Sequence, residues 1–233
     1  MMQSPLANIP PVIKNLLIIN IIFFIATYTL PGLELTARLS AFYPLAPLFK
    51  AWQPITYMFM HGSLGHIFFN MLALVMFGST IERVLGLKRF VEFYFITGLG
   101  ALALHMAVQA IELHAAIGSF SIANVDPTAM LSQDAVQTAT DIYRTPILGA
   151  SGAVFGVLLA FAYLFPNTEL LILFIPVPVK AKYVVAGYMA IELFSGFGRF
   201  QNDSVAHFAH IGGALFGFIL LKIWGYRSSN NMY

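Results

Sequence analysis

The stretch Gly149-Ala150-Ser151-Gly152-Ala153-Val154-Phe155-Gly156 opens an apolar run that continues to Leu164. It places the hydroxyl of Ser151 in the first turn of a predicted helix, among residues too small to cover it. The glycines and alanines also recur at the small-xxx-small spacing that lets two helices approach closely in a membrane. Two interpretations are therefore open: a helix-packing motif, or the start of a helix that presents a nucleophilic serine. A nucleophilic serine needs a base within reach.

The composition around this stretch is that of a membrane protein. Of the 233 residues, 59% are hydrophobic and 9% are charged, whereas about a quarter of the residues in soluble domains are charged. A net charge of +2 with scattered Lys and Arg argues against a nucleic-acid partner. The absence of cysteine excludes disulfides, thiol nucleophiles and thiolate metal sites. We predict one membrane domain over residues 1–233, with the lipid bilayer as its solvent.

Six apolar runs approach the roughly 20 residues that a spanning helix needs. The expected fold class is therefore an all-α polytopic membrane protein, a bundle of six transmembrane helices. The predicted spans are residues 12–30, 56–80, 90–111, 147–164, 183–197 and 205–224. Residues 31–55 are predicted to form a long amphipathic loop, and the polar residues 112–146 are predicted to form an exposed loop or short surface helices. Residues 170–179 contain two prolines, which favour a surface or re-entrant segment over a span.

Lysine and arginine residues concentrate on one side of these spans, and loops rich in them stay in the cytoplasm. That side carries Lys14, Arg83, Lys88, Arg89, Lys180, Lys182, Lys222 and Arg227, and the other side carries Arg38, Lys50, Arg144 and Arg199. Both termini are therefore predicted to be cytoplasmic. The loops 31–55 and 112–146, and with them Ser151, are predicted to lie on the external side.

His210 is the predicted base, because an ionisable side chain inside a span is costly and by default marks function. It lies about two turns inside the sixth span, at a depth that matches Ser151 in the fourth. His210, Gly213 and Gly217 share one helix face, so a glycine stripe facing the fourth span would bring the imidazole to the hydroxyl. His207 is a rival base one turn earlier, but it is nearer the aqueous edge and lacks the adjoining glycines.

A third group of polar residues opens the second span: His61, His66 and Asn70. The side chains of His66 and Asn70 lie four residues apart on one helix face, and both can donate hydrogen bonds. Peptide cleavage by a serine passes through an oxyanion that fixed donors stabilise, and the Ser151 backbone N–H is a further donor. The alternative is that His66 and Asn70 only tie loops together.

A metal site is the competing chemistry, because His61, His66, His207 and His210 all offer ring nitrogens. The chain has no His-Glu-x-x-His motif, and no acidic residue lies beside these histidines to complete a zinc set. We therefore predict that the protein uses no catalytic metal. The remaining histidines are predicted to be structural, and they are His105 and His114.

Taken together, the His-x-x-x-x-His-x-x-x-Asn, Gly-Ala-Ser-Gly and Ala-His-x-x-Gly motifs resemble those of bacterial-type rhomboid proteases in order and spacing. The resemblance implies an intramembrane serine endopeptidase of the bacterial inner membrane that cuts transmembrane segments of other membrane proteins. It implies a Ser–His dyad without aspartate, metal or cofactor, with Ser151 as nucleophile and His210 as base and then acid. His66 and Asn70 would help to bind the oxyanion. Three residues are expected to support the site or bind substrate, namely Gly149, Gly152 and Phe155.

Two positions depart from the family's pattern: Trp52-Gln53 stands where Trp-Arg is frequent, and Phe155 stands where tyrosine is frequent. Gln53 puts the usual contacts of that loop in doubt, while Phe155 can stack on His210 but cannot donate a hydrogen bond. Glu82 resembles a family glutamate and is interpreted as a tie between helix ends. Two other classes remain as alternatives: a catalytically inactive relative that binds membrane clients, and a small transporter, although the chain shows no internal repeat.

Overall fold

The structure, a computed structural model, describes residues 9–126, 128, 130–172, 175–198 and 207–228, and most of these are helical. The helices of the described residues are α1 (Pro11–Thr29), α2 (Leu35–Leu39), α3 (Gln53–Thr56), α4 (Leu64–Ala73), α5 (Ser79–Leu85), α6 (Leu87–Ile117), α7 (Gln133–Arg144), α8 (Ser151–Leu164), α9 (Ala181–Gly198) and α10 (His207–Ile223). Two strands, β1 (Glu169–Ile172) and β2 (Ile175–Lys180), form an antiparallel hairpin. A π-helical turn over Leu74–Gly78 joins α4 to α5 into one continuous element.

Several helices have the length and composition of membrane spans. Among the described residues, three helical segments are long and apolar enough to cross a bilayer: α1, Leu64–Leu85, and the segment that begins with α6. Helices α8 and α10 are apolar but shorter, and α9 contains Lys182 and Glu192. Large apolar side chains such as Ile22 and Phe69 are exposed, as expected of a surface that faces lipid. The predicted fold class, a helical membrane bundle, is confirmed, and the chain is a multi-pass integral membrane protein.

The centre of the bundle is α10, which packs against both α6 and α8. Gly213 of α10 lies so close to Gly152 of α8 that a Cβ on Gly213 would overlap the Gly152 carbonyl group. One turn further, a Cβ on Gly217 would lie 3.1 Å from the Cα of Gly156. The two helix backbones therefore touch without side chains between them, as small residues allow in membranes. The predicted glycine stripe facing the fourth span is confirmed.

Buried Glu82 of α5 binds the first turn of α1. Its two carboxylate oxygens accept hydrogen bonds from the backbone N–H groups of Val12 (3.0 Å) and Ile13 (2.9 Å). The first N–H groups of a helix have no partner within it, and a negative charge at that end complements the helix dipole. The interpretation of Glu82 as a tie between helix ends is confirmed.

The second spanning helix begins later than its predicted start at residue 56. Residues 57–59 form a 3₁₀ turn, and α4 begins at Leu64. Ser63 fixes this start, because its hydroxyl oxygen accepts a hydrogen bond from the backbone N–H of His66 at 3.1 Å. His66 consequently lies in the first turn of its helix.

Regular structure is present in residues 112–146, where an exposed loop or short surface helices are predicted, and in the segment that follows α8. Helix α6 continues to Ile117, beyond the predicted end of the third span, and α7 forms within the polar segment that follows. One face of α7 packs against the first loop, residues 31–55, where the ring centroids of Tyr43 and Tyr143 are 5.5 Å apart. Of the predicted surface or re-entrant segment, residues 170–172 lie in β1 and residues 175–179 lie in β2. Each strand of a two-stranded sheet has a free edge, so the prolines that would break a helix are tolerated there.

Candidate active site

Main-chain contacts place Ser151 at the first position of α8. Ile147 pairs with Ala41 of the first loop through two backbone hydrogen bonds of 2.8 and 2.7 Å. Gly149 donates its N–H to the carbonyl of Tyr57 at 3.0 Å. Gly149 has a φ of 127°, a conformation that favours glycine because it lacks a Cβ. The segment before Ser151 is therefore held by the first loop and the 3₁₀ turn, and α8 begins after it.

Helix α10 brings His210 to Ser151. The Nε2 atom of His210 lies 2.9 Å from the Oγ atom of Ser151, within hydrogen-bond distance. His210 is 8% exposed, whereas Ser151 is partly exposed. Among the described residues, His210 is the histidine hydrogen-bonded to this serine, and the rival His207 is directed elsewhere. The pair has the geometry in which a histidine can take the proton of a serine hydroxyl.

Phe155 holds the ring of His210 in place. The two rings are stacked, with centroids 4.2 Å apart and planes within 5° of parallel. Tyr188 of α9 packs edge-on against Phe155 at 5.8 Å. The phenyl ring that replaces the family's usual tyrosine therefore makes the predicted stack and fixes the plane of the imidazole.

His66 of α4 borders the same small space as the serine. A Cβ on Gly149 would lie 2.7 Å from the Nε2 atom of His66 and 3.5 Å from the Oγ atom of Ser151. Asn70 donates its side-chain N–H to the backbone carbonyl of His66 at 2.9 Å, and no hydrogen bond in the described part of the chain joins it to Ser151. His61 packs its ring edge-on against His66 at 4.9 Å. Of the two predicted oxyanion donors, His66 thus borders the space beside the hydroxyl, whereas the Asn70 amide binds the main chain of its own helix.

Glu192 of α9 is absent from the predicted site, yet the structure places it beside two histidines. Its Oε2 atom lies 2.6 Å from the Nδ1 atom of His207 and 3.0 Å from the Nδ1 atom of His210, and the residue is 6% exposed. The expectation that no acidic residue lies beside these histidines is therefore wrong, because a neighbouring helix supplies one. The sequence did contain a signal for a role of Glu192, because it is an acidic residue inside the predicted fifth span.

The same three side chains are the group that could hold a metal ion. One ligand atom from each of Glu192, His207 and His210 lies within 4.8 Å of the others. Two imidazole nitrogens and one carboxylate are a ligand set that zinc accepts. The hydrogen bond between Nδ1 of His207 and Oε2 of Glu192 offers an alternative, in which a proton joins these two side chains in place of a metal.

Gln53 closes the first loop on itself. It is fully buried, its Oε1 atom accepts the N–H of Lys50 at 3.0 Å, and its Nε2 atom donates to the carbonyl of Leu48 at 2.9 Å. The exposed Trp52 donates its indole N–H to the carbonyl of Arg38 at 3.0 Å. The glutamine that departs from the family's pattern therefore makes main-chain contacts of its own.

The fold and the site together define a polytopic helical membrane protein with a hydrogen-bonded serine and histidine inside its bundle. The profile of the Rhomboid domain matches residues 48–227 of the chain. The chain belongs to the rhomboid family.

Individual relatives come from organelles and from bacteria. The chain is 28% identical over 160 residues to "Rhomboid protein 1, mitochondrial" of Saccharomyces cerevisiae, covering 68% of this chain and 38% of the relative. It is 31% identical over 165 residues to "RHOMBOID-like protein 12, mitochondrial" of Arabidopsis thaliana, covering 69% and 42%. It is 29% identical over 179 residues to "Rhomboid protease AarA" of Providencia stuartii, covering 72% and 54%. The chain thus matches about half or less of the length of these relatives.

Proposed function

We propose that this chain is an intramembrane serine endopeptidase that cuts transmembrane segments of other membrane proteins with Ser151 and His210. The observation that carries the proposal is the 2.9 Å contact between Oγ of Ser151 and Nε2 of His210. Two helices bring these residues together inside an apolar bundle, where an ionisable side chain is retained at a cost and by default marks function. The similarity to a protein named as a rhomboid protease supports the same activity.

The reaction follows from the positions of these atoms. The Ser151 oxygen attacks the scissile carbonyl carbon while its proton passes to Nε2 of His210. The tetrahedral intermediate then collapses as the imidazolium returns that proton to the leaving amine, which leaves an acyl group on Ser151. Water, deprotonated by the same imidazole, releases the acyl group and regenerates the hydroxyl. No metal or cofactor takes part in the proposed sequence.

Donors for the oxyanion are supplied by two elements. Helix α8 begins at Ser151 without a side-chain cap on its first turn, so the Ser151 N–H can point at a developing negative charge. His66 borders the hydroxyl and can donate from its ring. Asn70, one turn further along α4, is proposed as a second donor that turns from the His66 carbonyl towards the substrate.

We further propose that residues 1–233 form one six-span domain in a bacterial inner membrane, with both termini in the cytoplasm. Arg89, near the start of α6, donates a hydrogen bond to the hydroxyl oxygen of Tyr226 at 3.0 Å. The start of α6 and the C-terminal end of α10 therefore lie at the same end of the bundle. His210 is near the opposite end of α10, which supports an active site towards the external side. Cysteine introduced at Asn124 would react with an impermeant maleimide in intact cells, and labelling only after lysis would contradict this orientation.

Covalent labelling by a fluorophosphonate tests the activity without a known substrate. Purified protein in lipid vesicles is compared with Ser151→Ala and His210→Ala, and with the controls Ser79→Ala and His114→Ala, which alter the same residue types away from the site. Labelling should be lost in the first two variants and kept in the controls. Folded wild-type protein that is not labelled would refute the proposal and favour a client-binding protein. Full labelling of His210→Ala would refute the assignment of the base.

A further inference from the structure

We propose that Glu192 is a positioning residue that completes the Ser151–His210 pair into a carboxylate–imidazole–hydroxyl relay. The inference rests on the proposed function and deepens it, because it assigns a third side chain to the same site. Glu192 would hold His210 in the tautomer that can accept the serine proton, and would balance the positive charge that then forms on the ring.

The positions of the three side chains carry the first step. The two ring nitrogens of His210 point to different partners, with Nε2 at 2.9 Å from the Ser151 oxygen and Nδ1 at 3.0 Å from Oε2 of Glu192. A neutral imidazole accepts at one nitrogen only if its proton sits on the other, and an ionised carboxylate can only accept. A carboxylate beside Nδ1 therefore favours the proton on Nδ1 and leaves Nε2 free to act as the base.

The Nδ1 contact of His210 has hydrogen-bond length but not yet hydrogen-bond alignment. Contacts of catalytic groups are often poorly aligned in unliganded sites and tighten when substrate binds. Phe155 already fixes the plane of the ring by stacking on it. In the proposed relay, a rotation of the ring within that plane directs the Nδ1–H at the carboxylate when substrate binds.

His207 holds the carboxylate from a second side. Its Nδ1 atom lies 2.6 Å from Oε2 of Glu192, and the carboxylate has a side-chain exposure of 8%. A buried carboxylate in an apolar helix is strongly disfavoured unless it is hydrogen-bonded or paired. The hydrogen bond from His207 meets that need, and His210 of the catalytic pair lies at 3.0 Å from the same oxygen.

A metal ion on the same three residues would have the opposite effect. A metal bound to Nδ1 of His210 would leave the ring proton on Nε2, where it blocks acceptance of the serine proton. The relay and a bound metal are therefore alternatives that an activity measurement separates. The hydrogen bond between His207 and Glu192 favours the relay.

The first test measures the kinetics of labelling by a fluorophosphonate in lipid vesicles, separating the maximal rate from the half-saturating concentration. In Glu192→Gln the maximal rate should fall about 100-fold at an unchanged half-saturating concentration, and Glu192→Asp should recover part of it. Glu92→Gln, which alters a partly buried glutamate of α6, should behave as wild type. Unchanged kinetics in Glu192→Gln would overturn the inference. An increase in the labelling rate of the wild-type protein when a chelator is added would also overturn it.

A second readout does not need activity. Solid-state ¹⁵N spectra of histidine-labelled protein, with the His210 signals assigned from His210→Asn, should show the proton on Nδ1 in wild type. That preference should be lost in Glu192→Gln while the helical circular dichroism is unchanged. A proton on Nε2 in wild type would overturn the relay. If Ser151-dependent labelling fails but the Nδ1 preference depends on Glu192, the proposed function fails while the positioning contact stands.

Discussion

Replacing Gly213 by alanine should move Ser151 and His210 apart without changing either of these side chains. A methyl group on Gly213 would overlap the carbonyl group of Gly152. A Cβ has no rotatable bond of its own and the Gly152 carbonyl is main chain, so neither group can turn aside. Helix α10 therefore has to move away from α8 by roughly 1 Å, because packed interiors hold no spare space. His210 lies one turn earlier on α10, and its 2.9 Å contact with Ser151 would lengthen beyond hydrogen-bond range.

A displacement of about 1 Å at reacting groups can cost roughly 100-fold in rate. Overpacking should also lower the free energy of unfolding by about 1–3 kcal/mol. The assay is the fluorophosphonate labelling rate together with thermal unfolding, both in the same lipid or detergent. Gly187→Ala in α9 is the matched control, because a Cβ there meets nothing within 4 Å. Wild-type labelling by Gly213→Ala at unchanged thermal stability would refute the view that glycine packing sets the catalytic distance.

Three further predictions concern other supports of the site. Phe155→Ala should lower the labelling rate about 10-fold because the stack on the imidazole is lost, whereas Phe155→Tyr should stay within about twofold of wild type; equal rates in both variants would contradict this. Gly149→Ala should destabilise the fold by about 1–3 kcal/mol, because position 149 has a positive φ, and the variant should unfold at a lower temperature. It should also lose labelling, because the new methyl group pushes His66 away. A variant with the labelling rate and stability of wild type would exclude that strain. Glu82→Gln should lower the unfolding free energy by about 2 kcal/mol while the folded protein keeps its labelling rate, and a stability equal to wild type would show that the α1 contact is dispensable.

The approach of Ser151 to His210 could be predicted because it depends on patterns within single helices. The depth of each residue follows from its distance to the end of an apolar run, and the glycine face of α10 follows from a three- and four-residue spacing. Two helices that present glycine to each other at matching depth have few ways to pack. The structure accordingly has the glycines in contact and the two side chains 2.9 Å apart.

The position of Glu192 could not be predicted in the same way. It depends on how α9 is rotated and shifted beside α10, and α9 has no glycine face or periodic pattern that fixes that rotation. The start of α4 and the β1–β2 hairpin were missed for a different reason. Hydropathy shows only where apolar residues lie along the chain. The cap at Ser63 and the pairing of the two strands depend on individual hydrogen bonds, which leave the hydropathy profile unchanged.

The two interpretations of residues 149–156, packing motif and catalytic motif, turn out to be compatible. The main chain of Gly152 touches Gly213 of α10, and a Cβ on Gly152 would lie 2.5 Å from the Cβ of Ala101 in α6. Gly149 instead faces His66 and leaves room for its ring next to Ser151. A larger residue at position 152 would push α8 away from α6, and a larger residue at position 149 would fill the space where an oxyanion can form. Small residues on both sides of the serine therefore set two distances at once, so mutations that change only packing should reduce activity before they unfold the bundle.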